Sequence, residues 1–164
     1  MHNFNNNTDN NDEWLTPPAV LGAAGVFDLD PCAPSDAVRP WDTAKRHYTK
    51  DNDGLALPWV GRVWCNPPYG KDTFVWLKKL AAHGDGVALI FARTETRGFH
   101  SEVWKKADGI FFFKGRLSFH HVTGKVGGPA NAPSCLVAYG ESNARVLASY
   151  RLPGVYVPLR GVPR

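Results

Sequence analysis

Val60-Gly61-Arg62-Val63-Trp64-Cys65 runs directly into Asn66-Pro67-Pro68-Tyr69-Gly70, and Asp72-Thr73-Phe74-Val75-Trp76-Leu77 follows two residues later. Arg62 to Cys65 has the composition of a short buried strand. The two prolines end it, because each lacks an N–H and holds φ at roughly −65°. Asp72 can then cap a helix from Thr73 to about His83, whose Phe74, Leu77 and Ala81 recur on one face. Strand, stiff turn and helix in this order point to an α/β fold.

The same grammar extends outward. Gly86 to Ala92 and Ile110 to Phe113 are continuous apolar runs, with a helix pattern over Phe99 to Lys106 between them. Apolar strands separated by helices are the signature of a mostly parallel sheet covered on both faces. Upstream, Thr16 as N-cap and Pro17 at the first helical position predict a helix ending at Gly25. Phe27 to Asp30 reads as a brief strand cut off by Pro31. Gly115 to His121 and Ser134 to Tyr139 flank a Gly/Pro-rich loop and read as an antiparallel hairpin at the sheet edge. A last helix over Glu141 to Tyr150 and a last strand over Gly154 to Leu159 complete the chain. The loop-rich stretch from Pro31 to Pro58 is too short for a full pair of strand–helix units, so few strands are expected.

At 164 residues the chain is long enough for one domain with its own core. Residues 1–13 are dominated by Asn and Asp, carry no signal-peptide pattern, and are expected to be a disordered tail before a single domain over 14–164. No apolar stretch approaches the ~20 residues of a membrane span. The three cysteines, Cys32, Cys65 and Cys135, show no disulfide spacing, so a reduced, cytoplasmic protein is expected. None stands in a Cys-x-x-Cys pair, and adjacent His120 and His121 would point to opposite faces of a strand, so no metal site is expected.

Lys and Arg number 19 against 15 Asp and Glu, a net charge of +4 that is compatible with a polyanionic partner. Several of Lys45, Arg46, Lys50, Lys71, Lys78, Lys79, Arg93, Arg97, Lys105, Lys106, Lys114, Arg116 and Lys125 fall in predicted loops beside the motifs, interleaved with His47, Tyr48, Tyr69, Phe119, His120 and His121. A surface that tracks phosphates needs this mixture.

Asn66-Pro67-Pro68-Tyr69 also carries chemistry. The lone pair of a planar exocyclic amine is delocalised into its ring, and hydrogen-bond acceptors beside its two N–H bonds restore it. Asn66 supplies a side-chain oxygen and the Asn66-Pro67 segment a backbone one, both stiffened by the prolines. Tyr69 offers a flat face for a base, a contact worth roughly 1–3 kcal/mol in single-stranded complexes. Asn-Pro is ordinary turn chemistry too; the strand before it and helix after it favour a site.

Several further runs join this one in a fixed order: Asp12-Glu13-Trp14-Leu15-Thr16-Pro17-Pro18, Phe27-Asp28-Leu29-Asp30-Pro31-Cys32-Ala33, Asp53-Gly54-Leu55 with Trp59, and Lys114-Gly115-Arg116-Leu117-Ser118-Phe119. Together they resemble the phage-encoded Dam-like DNA N6-adenine methyltransferases, from Trp14 to Tyr139. The resemblance implies a Rossmann-like class I methyltransferase sheet, S-adenosylmethionine as cofactor, and adenine in DNA as substrate; the short segment from Pro31 to Pro58 leads to the expectation of fewer strands than the usual seven. It implies a catalytic Asn66 to Tyr69. Asp30, Pro31, Cys32 and Ala33 would stand at the cofactor, Asp53 would face its adenine, and Thr16 with Pro17 would close over its methionine end. No Gly-x-Gly loop follows the first strand; Asp30-Pro31-Cys32-Ala33 takes its place. Arg116, Phe119, His120 and Lys125, together with Arg46 and Lys71, are the candidate DNA contacts. The resemblance places the protein in a bacterial host cell, encoded by a phage or prophage. Methylation of cytosine N4 or of a glutamine amide, and a catalytically silent nucleic-acid-binding module, remain as alternatives. Oligomeric state is left open.

Overall fold

The computed structural model describes residues 14–35 and 39–160; the predicted tail at 1–13 lies outside them. The elements are β1 (Trp14–Leu15), α1 (Pro18–Ala24), β2 (Leu29–Asp30), β3 (Arg46–His47), β4 (Val63–Cys65), α2 (Thr73–His83), β5 (Gly86–Phe91), α3 (Arg97–Phe99, continued by a π-helical turn over His100–Trp104), β6 (Gly109–Phe113), β7 (Ser118–His121), β8 (Val126–Pro129), β9 (Ser134–Tyr139), α4 (Glu141–Ala148) and β10 (Gly154–Pro158).

A seven-stranded sheet runs in the order β10-β6-β9-β5-β4-β2-β3. The pairs β3/β2, β2/β4 and β4/β5 are parallel, whereas β9 is antiparallel to both β5 and β6, and β10 to β6. Side chains alternate across this sheet. On β5, Val87 and Leu89 join one cluster with Leu21 of α1 and Leu147 of α4, while Ala88 and Ile90 join another with Leu77 and Leu80 of α2 and Val103. The alternation follows from the two-residue period of a strand, so an all-apolar run must have both faces covered. Among the described residues no helix is long and apolar enough to cross a membrane.

The sheet is mixed and not mostly parallel as expected, since only the pairs from β3 to β5 are parallel. Three further expectations fail, each for a physical reason. The large sheet has seven strands, because the loop-rich stretch after Pro31 holds β3, a strand of only two residues that is too short to leave a periodic trace. Ser134 to Tyr139 does not pair with Gly115 to His121: all six residues of β9 are buried, a burden that an edge position cannot relieve, and the strand inserts between β5 and β6. β7 instead pairs with β8 and β1 in a separate three-stranded sheet. β8, Val126-Gly127-Gly128-Pro129, lies within the expected loop and has neither alternation nor bulk to betray a strand. Gly127 is needed there, since a Cβ would meet the Phe119 carbonyl at 2.7 Å and the Trp14 ring at 2.9 Å.

A candidate active site at the Asn66 turn

β2 lies between β3 and β4, so the chain leaves it toward one side and returns on the other. The carboxyl ends of two adjacent parallel strands at such a reversal form the crevice where open α/β sheets bind ligands. β2 ends in Asp30 and β4 in Cys65, so Pro31 to Ala33 and Asn66 to Tyr69 leave the sheet side by side. Thr73 Oγ1 donates to the Pro68 carbonyl at 2.7 Å and ties the turn to the start of α2.

Asp30 is 2 % exposed. Its Oδ1 accepts from the Cys32 backbone N–H at 3.1 Å and its Oδ2 from the Thr43 hydroxyl. Desolvation raises its pKa from 3.8 to about 6; the hydrogen bonds from Thr43 and Cys32 pull the other way and lose. The carboxylate is therefore still mostly charged at neutral pH.

The Cys32 thiol donates to the Asn66 carbonyl at 3.2 Å and lies 3.9 Å from Cys65 Sγ. Burial pushes that thiol well above its ordinary range, with Cys65 adding to the effect, which leaves it a neutral donor. Asn66 Nδ2 donates to Thr16 Oγ1 at 3.2 Å, and Asn66 Oδ1 accepts from the Tyr69 hydroxyl at 3.4 Å. Thr16 does not cap α1 as expected: Pro17 holds the N-cap position, and the Thr16 hydroxyl is spent on Asn66. Asp72 likewise makes no side-chain cap at α2. Among the described residues the Pro67 carbonyl accepts no hydrogen bond. The Tyr69 ring stacks on Phe91, centroids 4.1 Å apart at 13°, and meets the edge of Phe119 at 6.1 Å. Burial of its hydroxyl raises the phenol pKa above the ordinary value.

Asp53 arrives from the loop before β4, with φ at 52°, a left-handed conformation that Asp tolerates better than most residues. Gly54 packs so closely that a Cβ would stand 1.9 Å from the Pro31 carbonyl. The Gly54 carbonyl accepts from Trp59 Nε1 at 2.8 Å and from Lys79 Nζ at 3.2 Å, fixing the loop to α2.

These groups border one cavity of about 430 Å³. Asn66, Pro67, Pro68 and Tyr69 line it, as do Asp30, Pro31, Cys32, Ala33, Asp53 and Thr16; Pro17 does not. The model of the DNA N-6-adenine-methyltransferase (Dam) family matches residues 4–149. The chain belongs to this family. Searches of curated proteins and of solved structures found no match. Membership implies DNA adenine N6-methyltransferase activity.

In this Dam-family chain none of the expected DNA contacts lines the cavity. Phe119 is only 6 % exposed and belongs to the core, since β7 turns it inward. His120 packs edge-on against Trp41 at 5.3 Å, with its Nδ1 buried and without a partner among the described residues. Phe119 is thus a core residue in this structure, while His120 is half-buried against Trp41. Arg116 and Lys125 are exposed around the small sheet, Arg46 is exposed on β3 and bonds the Tyr48 hydroxyl at 3.3 Å, and Lys71 is exposed just beyond Tyr69. Sequence reading of this Dam-family member missed Thr43, Trp14 and Trp76, which also line the cavity. Trp14 stood in a quoted run without a role. Thr43 carries no local signal, because its meaning comes only from Asp30, thirteen residues away.

Proposed function

We propose that residues 14–164 form one methyltransferase domain that moves a methyl group from S-adenosylmethionine to adenine N6 in DNA. The observation that carries this reading is that a buried, largely ionised Asp30 and the Asn66 to Tyr69 turn border the same cavity. The cavity's size falls in the ligand-pocket range of roughly 300–1,000 Å³, and it combines aromatic walls from Trp14 and Trp76 with two carboxylates, Asp30 and Asp53. That donor set fits a cationic nucleoside. When bound, the cofactor supplies an electrophilic methyl group on a sulfonium.

The chain's residues do the rest. Each Asp30 oxygen has a lone pair beyond those already used, so the carboxylate can accept from the cofactor's ammonium or ribose hydroxyls while Thr43 and Cys32 hold it in place. Asp53 is positioned to accept from the cofactor's adenine amine. Asn66 Oδ1 and the Pro67 carbonyl accept the two N–H bonds of the target amine, drive the nitrogen toward a pyramidal shape and take up its growing positive charge. The Asn66 carbonyl is engaged by Cys32, which leaves the Pro67 carbonyl as the backbone acceptor. The Tyr69 hydroxyl must release Asn66 Oδ1 as the amine arrives. Neither acceptor is basic enough to keep the proton, which leaves to solvent. A paired adenine cannot reach such a site, so the base must be extruded at a cost of a few kcal/mol of stacking.

Family membership favours adenine over cytosine N4 or a glutamine amide, and the complete Asn66 to Tyr69 turn favours an enzyme over a silent binding module. DNA as substrate places the action in the cytoplasm of a bacterial host, with phage or prophage origin resting on the family's habits. Incubation with labelled S-adenosylmethionine and unmethylated DNA, followed by nucleoside identification, should yield N6-methyladenine. Label on cytosine, or none, defeats the proposal.

A further inference from the structure

β5 and β4 are parallel, with Ala88 opposite Cys65, so β5 runs three residues beyond that level and carries Phe91 out beside the Asn66 turn. One face of the Phe91 ring lies against Tyr69. Two residues later the Arg93 guanidinium sits 5.8 Å from the Phe91 centroid. The Arg93 N–H donates to the Phe91 carbonyl at 2.9 Å, a tight turn that brings the cation back over the ring.

Arg93 is exposed, and among the described residues its side chain makes no ion pair or hydrogen bond. Several other arginines are engaged, among them Arg39 with Asp42, Arg62 with Asn143, and Arg160 with Asp108. An arginine presents a planar fork of donors suited to two oxygens of one phosphate, and an aromatic ring beneath it limits the freedom lost on binding. Exposed Lys71 follows the Asn66 turn and exposed Arg97 lies four residues after Arg93, while exposed Asp72 and Glu95 offset two of these three positive charges. The local field still favours an anion.

We propose that Arg93, held by Phe91 beside Tyr69, contacts a backbone phosphate of the DNA strand that delivers the target base. This rests on the reading of the chain as a DNA methyltransferase and adds a contact outside the cavity. The phosphate would lie at the rim, next to a guanidinium that makes no ion pair or hydrogen bond among the described residues. Phe91 touches both Tyr69 and the Arg93 guanidinium and so links the two.

The test is equilibrium binding of the intact protein to a fluorescent unmethylated duplex over a range of salt concentrations. Each phosphate contact contributes about 0.9 to the slope of log affinity against log salt for a duplex. Arg93→Ala should lower the slope by about that amount and weaken low-salt binding roughly 3- to 10-fold, while S-adenosylmethionine affinity is unchanged. Arg93→Lys keeps the charge and should keep the slope. An unchanged slope in Arg93→Ala overturns the inference, as does an equal loss in both variants, which would assign the effect to packing on Phe91. If the unsubstituted protein neither binds nor methylates DNA, the methyltransferase reading fails first. If it methylates DNA and the Arg93→Ala slope is normal, only the phosphate contact is lost.

Discussion

The crevice between β2 and β4 and the small β1-β7-β8 sheet are built on opposite principles. The crevice collects buried and half-buried polar groups that bond one another, Asp30 with Thr43 and Cys32, Cys32 with Asn66, and Asn66 with Thr16 and with the more exposed Tyr69. The small sheet buries Phe119, leaves His120 half-buried against Trp41 and turns its charges, Arg116 and Lys125, to solvent. Groups that must be desolvated and satisfied together tolerate little change, whereas solvated charges act one by one and are easily replaced. The contrast teaches where substitution should be abrupt and where it should be graded.

The sharpest break should come at Asn66. Loss of a preorganised charge-stabilising group costs roughly 10²–10³ in turnover, so Asn66→Ala should lower kcat by at least about that factor in a single-turnover methylation assay. Affinity for S-adenosylmethionine, read by calorimetry, should hardly move. Activity near that of the unsubstituted protein would remove Asn66 from its assigned role.

Asp30→Asn comes next and separates binding from stability. Losing a charged hydrogen-bond acceptor costs about 1.5–3 kcal/mol, which corresponds to cofactor binding weaker by roughly 10- to 100-fold. Stability should move the other way. Because the folded carboxyl titrates near 6 instead of 3.8, the folded state holds its proton more tightly than the unfolded chain. This group's contribution is therefore most favourable below about pH 3.8 and is lost as pH rises through about 6. The Asn variant should flatten that part of the Tm–pH profile and match or exceed the parent Tm at pH 7. In the parent, cofactor affinity should fall as pH drops through about 6. A variant that binds cofactor normally, or melts far below the parent, would contradict the assignment.

Gly54→Ala tests the close approach that brings Asp53 to the cavity. A Cβ 1.9 Å from the Pro31 carbonyl forces the loop to shift. The expected cost is about 1–3 kcal/mol, visible as a Tm lowered by several degrees and as weaker cofactor binding. An unchanged melting curve would show that the loop yields freely.

The smallest effect belongs to the small sheet. Lys125→Ala should weaken duplex binding about 2-fold at most, lower the salt slope by no more than about 0.9 and leave kcat alone. A collapse of activity in this variant would erase the distinction between the two regions.

Much of the fold was legible because burial leaves a local imprint. The β5 and β6 runs and the periodic face and extent of α2 were readable to within a residue or two. The lining of the cavity was legible at Asn66 to Tyr69 and at Asp30, where turn chemistry follows a strand. It was not legible at Thr43, whose hydroxyl bonds a carboxylate thirteen residues back, or at Phe119, where an aromatic residue between His and Ser serves a core as readily as a base.

By itself the sequence determined which segments are buried on both faces, where the chain must turn, and that acceptors on a rigid turn follow β4, since each of these depends on neighbours within a few residues. Only the tertiary structure decided that β9 enters between β5 and β6, that Thr16 orients Asn66 instead of capping a helix, and that Cys32 bridges the two strand exits. A strand's period records which face is buried and nothing about which strand will lie beside it, and a hydroxyl or thiol acquires its partner only when distant segments close around it.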